Sequence, residues 1–303
     1  MEILLLGTAA AEGWPAPFCI CDACQTARKR GGPDIRTRSG ALIDDELKID
    51  FGPDTVMQMQ RCGRNLLGVK TLIFTHQHSD HFVPTELEWA KHPFTLTPGG
   101  PIELWGNSAV MDQIERTFTP EQREKLPYVY RTMKAGDHFT TAAGDEVWAM
   151  PAFHVAGACV LRIRRQGKTI FYGHDTGTLP AETVDRLSDG IALDLVLLDC
   201  TYGKIRSEHH HLDVEAVIRT AEELRKRGAR AGCRLVHTYI PCSRTPTLCA
   251  SCVHRLAARS IHEKTRVVAT HFSHGGSMMY DELCQHFAPH NISVSYDGMV
   301  INI

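Results

Sequence analysis

The segment Thr75-His76-Gln77-His78-Ser79-Asp80-His81 directly follows the apolar run Leu72-Ile73-Phe74. It carries three imidazoles and one carboxylate in a few residues. In an extended chain, residues two apart point to the same side, so His76 and His78 can face one ion. The tight turn that follows can aim Asp80 and His81 at a second ion beside it. Imidazole suits zinc, iron and manganese, and a carboxylate adds a harder oxygen ligand. Four such side chains in this order seldom arise for solubility alone.

A two-ion centre needs further ligands, and three later residues are candidates. His154 follows Val147-Trp148-Ala149-Met150-Pro151-Ala152-Phe153, Asp175 lies in Phe171-Tyr172-Gly173-His174-Asp175-Thr176-Gly177, and His271 follows Val267-Val268-Ala269-Thr270. Each stands where a strand-like run ends, a rigid point from which side chains can converge. Two ions about 3.5–4 Å apart can share a water and turn it into a bridging hydroxide near neutral pH. They also offset charge growing on a phosphoryl group. A leaving alkoxide still needs a proton, and His209-His210-His211, ahead of Leu212-Asp213, is the best source. Asp80 can serve as ligand and base in turn.

These side chains need elements to carry them. Strands are expected over 2–7, 40–44, 47–51 and 69–75, with a helix over 53–61 between them. A short helix over 84–92, a strand over 101–106 and a helix over 109–118 follow. Further strands are expected over 146–153, 158–164 and 168–173, the last two as a hairpin turning at Gln166-Gly167. Then come helix 181–188, strand 193–198 and helix 212–227. In the last helix Val214, Val217, Ile218, Ala221 and Leu224 recur at helical spacing, with Gly228 expected to end it. Strand 265–271, helix 277–287 and strand 292–302 complete the chain. The order fits an α/β sandwich with helices outside two packed sheets. A single domain over 1–303 is expected, with a Cys/His-rich insertion near 229–264.

Composition narrows the class of partner. The 303 residues are 43% apolar and 22% charged, with a formal net charge of -2. Neither nucleic acid nor an anionic membrane is an expected partner. No apolar run is long enough to span a membrane, and the start reads as a first strand rather than a signal peptide, so a cytoplasmic location is expected. Eleven cysteines are many for a reducing compartment, and clustered spacing points to metal. The clusters are Cys19, Cys21 and Cys24, and Cys242, Cys249 and Cys252. Cys249-x-x-Cys252 has metal-ligand spacing, which Cys242 or His254 could complete.

His76-x-His78-x-Asp80-His81, with His154, Asp175 and His271, resembles the metallo-β-lactamase superfamily. That resemblance implies an αββα sandwich with the ions at one edge. It implies that His76, His78 and His154 hold the first ion, that Asp80, His81 and His271 hold the second, and that Asp175 bridges them. Asp50 in Ile49-Asp50-Phe51-Gly52 matches an aspartate that supports the metal loop. Within the superfamily the chain is similar to the PhnP-like cyclic phosphodiesterases of the carbon–phosphorus lyase pathway. The similarity lies in Leu6-Gly7-Thr8-Ala9-Ala10, Cys19-x-Cys21-x-x-Cys24, His271-Phe272-Ser273-His274 and Tyr296-Asp297-Gly298-Met299. It implies a structural zinc on Cys19, Cys21, Cys24 and His274, a closed tetrahedral set. It also implies that His211 is the general acid.

The expected function is metal-dependent hydrolysis of a small cyclic phosphodiester of the phosphoribosyl cyclic phosphate type. The cofactors would be two catalytic divalent ions, zinc or manganese with iron as a third choice, and one structural zinc. A homodimer would be an ordinary assembly. Three alternatives stay open: a ribonuclease similar to the tRNA 3′-end processing enzymes, a lactonase or thioesterase on the same scaffold, and a non-catalytic protein similar to PqqB of cofactor biosynthesis.

Overall fold

The computed structural model describes residues 1–97, 99–207, 209–234 and 265–303. Cys242, Cys249, Cys252 and most of the Cys/His-rich insertion lie outside them. The chain runs β1 (Glu2–Gly7), α1 (Asp22–Arg30), β2 (Gly40–Ile43), β3 (Leu47–Ile49), α2 (Thr55–Cys62), β4 (Thr71–Ile73), β5 (Ile102–Gly106), α3 (Ser108–Thr117), α4 (Pro120–Arg123) and β6 (Tyr128–Thr132). It continues through β7 (His138–Thr140), β8 (Glu146–Pro151), β9 (Cys159–Arg165), β10 (Lys168–Gly173), α5 (Ala181–Arg186), β11 (Leu195–Asp199), α6 (Val214–Arg234), β12 (Arg266–Thr270), α7 (Tyr280–Phe287), β13 (Ile292–Val294) and β14 (Met299–Asn302).

Among the described residues the strands form two seven-stranded sheets, in the orders β14-β1-β2-β3-β4-β5-β6 and β13-β12-β11-β10-β9-β8-β7. Alternation along each strand divides the apolar side chains between faces. Ile3, Leu5, Ile43 and Ile49 meet Val147, Leu161, Ile163, Leu195, Leu197 and Val268 between the sheets. The intervening Leu4, Leu6 and Leu42 pack outward with Met59, Val110 and Ile114. Val196, Leu198, Val267 and Ala269 pack outward with Val217, Ala221 and Leu283. Strands buried on both faces read as unbroken apolar runs, as Leu195-Val196-Leu197-Leu198 does. The αββα layering expected from the resemblance is the one observed. No described helix is long and apolar enough to cross a membrane.

Topology gathers strand ends at one edge. β8 and β10 both pair antiparallel with β9, and β10, β11 and β12 pair parallel in succession. So β8, β10, β11 and β12 run in one direction and deliver their C-terminal ends together. The loop after β4 is fastened to that edge from the other sheet, where Cys159 N donates to Thr75 O at 3.0 Å.

Several expectations need correction. The closing strand expected over 292–302 is two strands on different sheets: β13 pairs with β12, and β14 with β1. The break falls at a turn where Asp297 accepts from Thr8 Oγ1, Thr37 N, Thr37 Oγ1 and Arg61. Those four donors pull the chain across from one sheet to the other. Helix α6 passes through Gly228 to Arg234. A glycine in a helix costs only about 1 kcal/mol, so Gly228 and Gly232 do not end a helix anchored by the buried Val217 and Ala221. The segment 84–92 is a 3-10 helix over Pro84–Ala90. Strands β6 and β7 were not anticipated because their burial patterns, ieiee and eie, leave almost no apolar signal.

Candidate metal centre

The seven predicted donors come together at the shared edge. His76, His78, His154 and Asp175 present ligand atoms within 4.8 Å of one another, and so do Asp80, His81, Asp175 and His271. Asp175 belongs to both groups. His76 Nε2 lies 3.0 Å from His78 Nδ1, and His154 Nε2 lies 3.1 Å from the same atom. Asp175 Oδ2 is 3.4 Å from His76 Nε2, 3.5 Å from His154 Nε2 and 3.3 Å from His81 Nε2. Asp80 Oδ2 is 3.1 Å from His81 Nε2. Tetrahedral bonds of about 2.0–2.1 Å space ligand atoms roughly 3.3–3.4 Å apart, close to these separations.

The tautomers argue the same way. His76 Nδ1 faces Thr75 Oγ1 at 3.1 Å, and that hydroxyl lies 3.0 Å from Asp50 Oδ1. His81 Nδ1 meets Asp50 Oδ2 at 2.7 Å, His271 Nδ1 meets Thr201 Oγ1 at 2.8 Å, and His154 Nδ1 meets His210 O at 3.2 Å. Each of these four histidines thus turns its Nδ1 to an oxygen outside the ligand set and its Nε2 inward, the arrangement in which a neutral ring presents a lone pair to an ion. His271 Nε2 lies 2.6 Å from Asp175 Oδ1, and no group outside the cluster satisfies those two atoms or His81 Nε2. Lone pairs converging on one another repel unless a cation lies between them. The donor set fits two cations.

Charge follows geometry. Burial above all pushes the pKa of His76 well below its ordinary value, and burial lowers that of His154, so both stay neutral. Burial also opposes charge on His81, but Asp175, Asp80 and Asp50 outweigh it and hold His81 well above its usual range. Burial likewise opposes ionisation of Asp175, yet His271 and His81 hold its carboxyl well below the usual range.

Backbone conformation aims three of the side chains. Asp50, Asp175 and His271 have φ of 56°, 50° and 57°, the left-handed region that non-glycine residues seldom occupy. Each stands just past a strand and turns its side chain out of the pleat into the edge. Such conformations cost of order 1–3 kcal/mol and gather at functional sites. Gly52 has a different duty: a Cβ there would lie 2.0 Å from Asp80 O, so only glycine lets the metal loop pack on β3's extension.

His211 lies beside the donor cluster. Its ring lies 4.9 Å from that of His154 and stacks on that of His271 at 5.7 Å. Its partner was missed. Asp199, at the end of β11 and fully buried, accepts from His211 Nδ1 at 2.7 Å. Asp199 also accepts from Thr201 N at 2.9 Å and Thr201 Oγ1 at 2.8 Å. Burial disfavours a charged His211, but Asp199 outweighs that and lifts its pKa to about 9. A charged residue closing the apolar run of β11 was the available signal.

A second cluster joins Cys19, Cys21, Cys24 and His274. His274 Nδ1 is 3.7 Å from Cys19 Sγ and 3.4 Å from Cys21 Sγ. Bonds of about 2.3 Å to sulfur and 2.0–2.1 Å to nitrogen predict roughly 3.5–3.6 Å for such a pair. The backbone N–H of Cys24 lowers the Cys21 pKa to about 6, so this sulfur is a thiolate at neutral pH. Cys21 stands at the N-cap of α1 and Cys24 lies inside it, in a stretch for which no helix was expected. The segment His271-Phe272-Ser273-His274 links the two clusters. Elsewhere, an apolar cavity of about 310 Å³ is lined by Phe51, Leu66, Leu67, Trp89 and Tyr128, and none of the clustered donors lines it.

A family model described as "Beta-lactamase superfamily domain" matches residues 47–231. The chain belongs to the metallo-β-lactamase superfamily. The matched span holds six of the seven clustered donors and His211, while His271 and the cysteine cluster lie outside it. Among solved structures, a new diphosphatase from the PhnP family is similar with a TM-score of 0.69 and 17% identity, covering 100% of this chain and 97% of that one. Zn(2+)-bound PqqB from Methylobacterium extorquens has a TM-score of 0.66 and 16% identity over 100% of both chains. The short form of human tRNase Z has a TM-score of 0.60 and 18% identity, covering 100% and 99%. At these identities what is shared is the fold. No curated protein sequence matches. The chain is a hydrolase of the metallo-β-lactamase fold with candidate dinuclear metal sites.

Proposed function

We propose that this protein is a metal-dependent phosphodiesterase acting on a small cyclic phosphate. His76, His78 and His154 would hold one divalent ion, zinc or manganese, and Asp80, His81 and His271 the other, with Asp175 between them. The bound ions would supply an activated water and neutralise the phosphoryl oxygens. Cys19, Cys21, Cys24 and His274 would hold a structural zinc. The observation that carries the reading is the Asp199–His211 pair beside the donor cluster. Expulsion of an alkoxide requires a proton, and a histidine held charged by a buried carboxylate can deliver one from its other ring nitrogen. A thioester expels a thiolate, a better leaving group, and needs that donor less; a lactone also expels an alkoxide and is separated from a phosphodiester by the assay below. The net charge of -2 favours a small substrate over RNA.

The test is elemental analysis with a substrate panel on metal-reconstituted protein. Cyclic ribose phosphates, cyclic nucleotides, bis-p-nitrophenyl phosphate and lactones should be compared. Phosphodiester turnover well above lactone turnover is expected. Lactonase activity exceeding every phosphodiester would reject the assignment.

A further inference from the structure

The lip of the candidate centre carries aromatic rings that neither the ligand set nor the proton donor uses. Phe153 is 41% exposed although it immediately precedes His154. Its backbone is pinned on both sides: Phe153 N donates to Thr176 Oγ1 at 3.0 Å, and Gly177 N donates to Phe153 O at 3.0 Å. Both partners belong to the turn that carries Asp175, so the exposed ring is held at the mouth. His210 lies nearly parallel to it, with centroids 5.8 Å apart and planes at 21°. His209 meets it edge-on at 5.7 Å.

His210 is as firmly placed. Its Nδ1 donates to His154 O at 2.9 Å, while His154 Nδ1 donates back to His210 O at 3.2 Å. This reciprocal pair needs a left-handed backbone at His210, with φ of 64°. His210 is exposed, and its ring centroid is 6.1 Å from that of His154. The same two backbone segments thus fix a donor of the candidate centre and an aromatic patch one residue away.

We propose that Phe153, with His209 and His210, forms a stacking subsite for a planar heteroaromatic ring carried by the substrate, and that this ring is a nucleobase. The inference rests on the phosphodiesterase reading, because it places the phosphate at the metal cluster. A flat apolar ring offers every base a stacking face without reading its edges. The His210 ring centroid lies 6.1 Å from that of His154, an interval that a pentose between base and phosphate would cover. The substrate class is therefore a nucleoside-bearing phosphodiester such as a cyclic nucleotide, rather than a bare sugar phosphate. Phe153 sets specificity and takes no part in bond breaking.

The experiment measures equilibrium binding of adenosine 5′-monophosphate and of ribose 5-phosphate to metal-loaded protein by calorimetry. Both ligands offer one phosphate, and only one carries a base. The wild type should bind the nucleotide on the order of tenfold more tightly. Phe153→Leu should bring that ratio close to one, and Phe153→Trp should keep it. A wild-type ratio near one overturns the subsite. So does Phe153→Leu weakening both ligands in step, because that is the result of a ring that only braces the 209–211 turn. Binding of neither ligand overturns the phosphodiesterase reading and the subsite with it, whereas loss of the ratio alone leaves that reading standing.

Discussion

The donor cluster at the strand ends and the cysteine cluster near the N-terminus are joined through His271 and His274, with two residues between them, and are built on opposite plans. The first draws seven side chains from four segments on two sheets. Its His76, His81 and Asp175 side chains are at most 3% exposed, and most of its histidines have a fixed oxygen behind them. The second takes three of its four donors from one short segment, where Cys21 is exposed and Cys24 buried. Their consequences differ. The strand-end cluster is held by the two sheets and their cores, so its geometry precedes the ions. The cysteine cluster sends only Cys24 fully into the core, so an ion there would supply folding energy locally.

The contrast breaks most sharply under a crossed pair of substitutions. Asp80→Ala should abolish hydrolysis, by a thousandfold or more on the order expected for a lost two-ion centre, and should lower the content of catalytic metal. Cys21→Ser should do the reverse: lose one zinc, keep the other ions, and cost roughly 2–4 kcal/mol of stability, the scale of a tightly bound ion. Elemental analysis and thermal melting of the two variants separate these patterns. Wild-type turnover in Asp80→Ala would end the metal reading of the edge. Unchanged melting in Cys21→Ser would leave the second cluster without a structural role.

A smaller effect tests the proton donor. His211→Ala should reduce turnover of alkyl phosphodiesters by about 10²–10⁴, the usual range for a positioned acid, and that of p-nitrophenyl esters far less. Equal losses on both would mean that His211 only supports the ring of His271. Asp50→Ala comes next, with metal affinity of the edge cluster falling about 10–100-fold, because Asp50 orients His81 directly and His76 through Thr75. Metal titration followed by activity would show it.

The two clusters were also unequally legible in the sequence. His76 to His81 announce themselves by spacing, and His154, Asp175 and His271 by their place after apolar runs. The αββα layers follow from runs such as Leu195 to Leu198, apolar on both faces. What escaped was structure without an apolar signature. Helix α1 buries only Cys24 and Ala27, and cysteines in a metal spacing suggest a loop. Asp199 escaped because an aspartate after a strand is common. Its importance appears only when the fold brings His211 from twelve residues away onto its carboxylate. The left-handed backbone at Asp50, Asp175 and His271 was hidden for the same reason, since none of these is a glycine.

The finest test concerns that pair. A general acid acts in its protonated form, so the rate holds while His211 is charged and falls as pH rises through its pKa. Asp199 places that pKa at about 9. Cations at the neighbouring cluster oppose the charge, so the alkaline limb of the loaded enzyme should lie below about 9. Asp199→Asn keeps the shape of the side chain and removes its charge. The protonated imidazole then loses its main support, and the limb should move to lower pH by roughly one to two units. At pH 6 the variant should stay near the wild type, and by pH 8 it should be several-fold slower. Because Asp199 also orients His271 through Thr201, a purely positional role would lower the rate evenly across the profile. A limb that stays in place while the plateau drops would assign Asp199 to metal-ligand geometry instead of proton transfer.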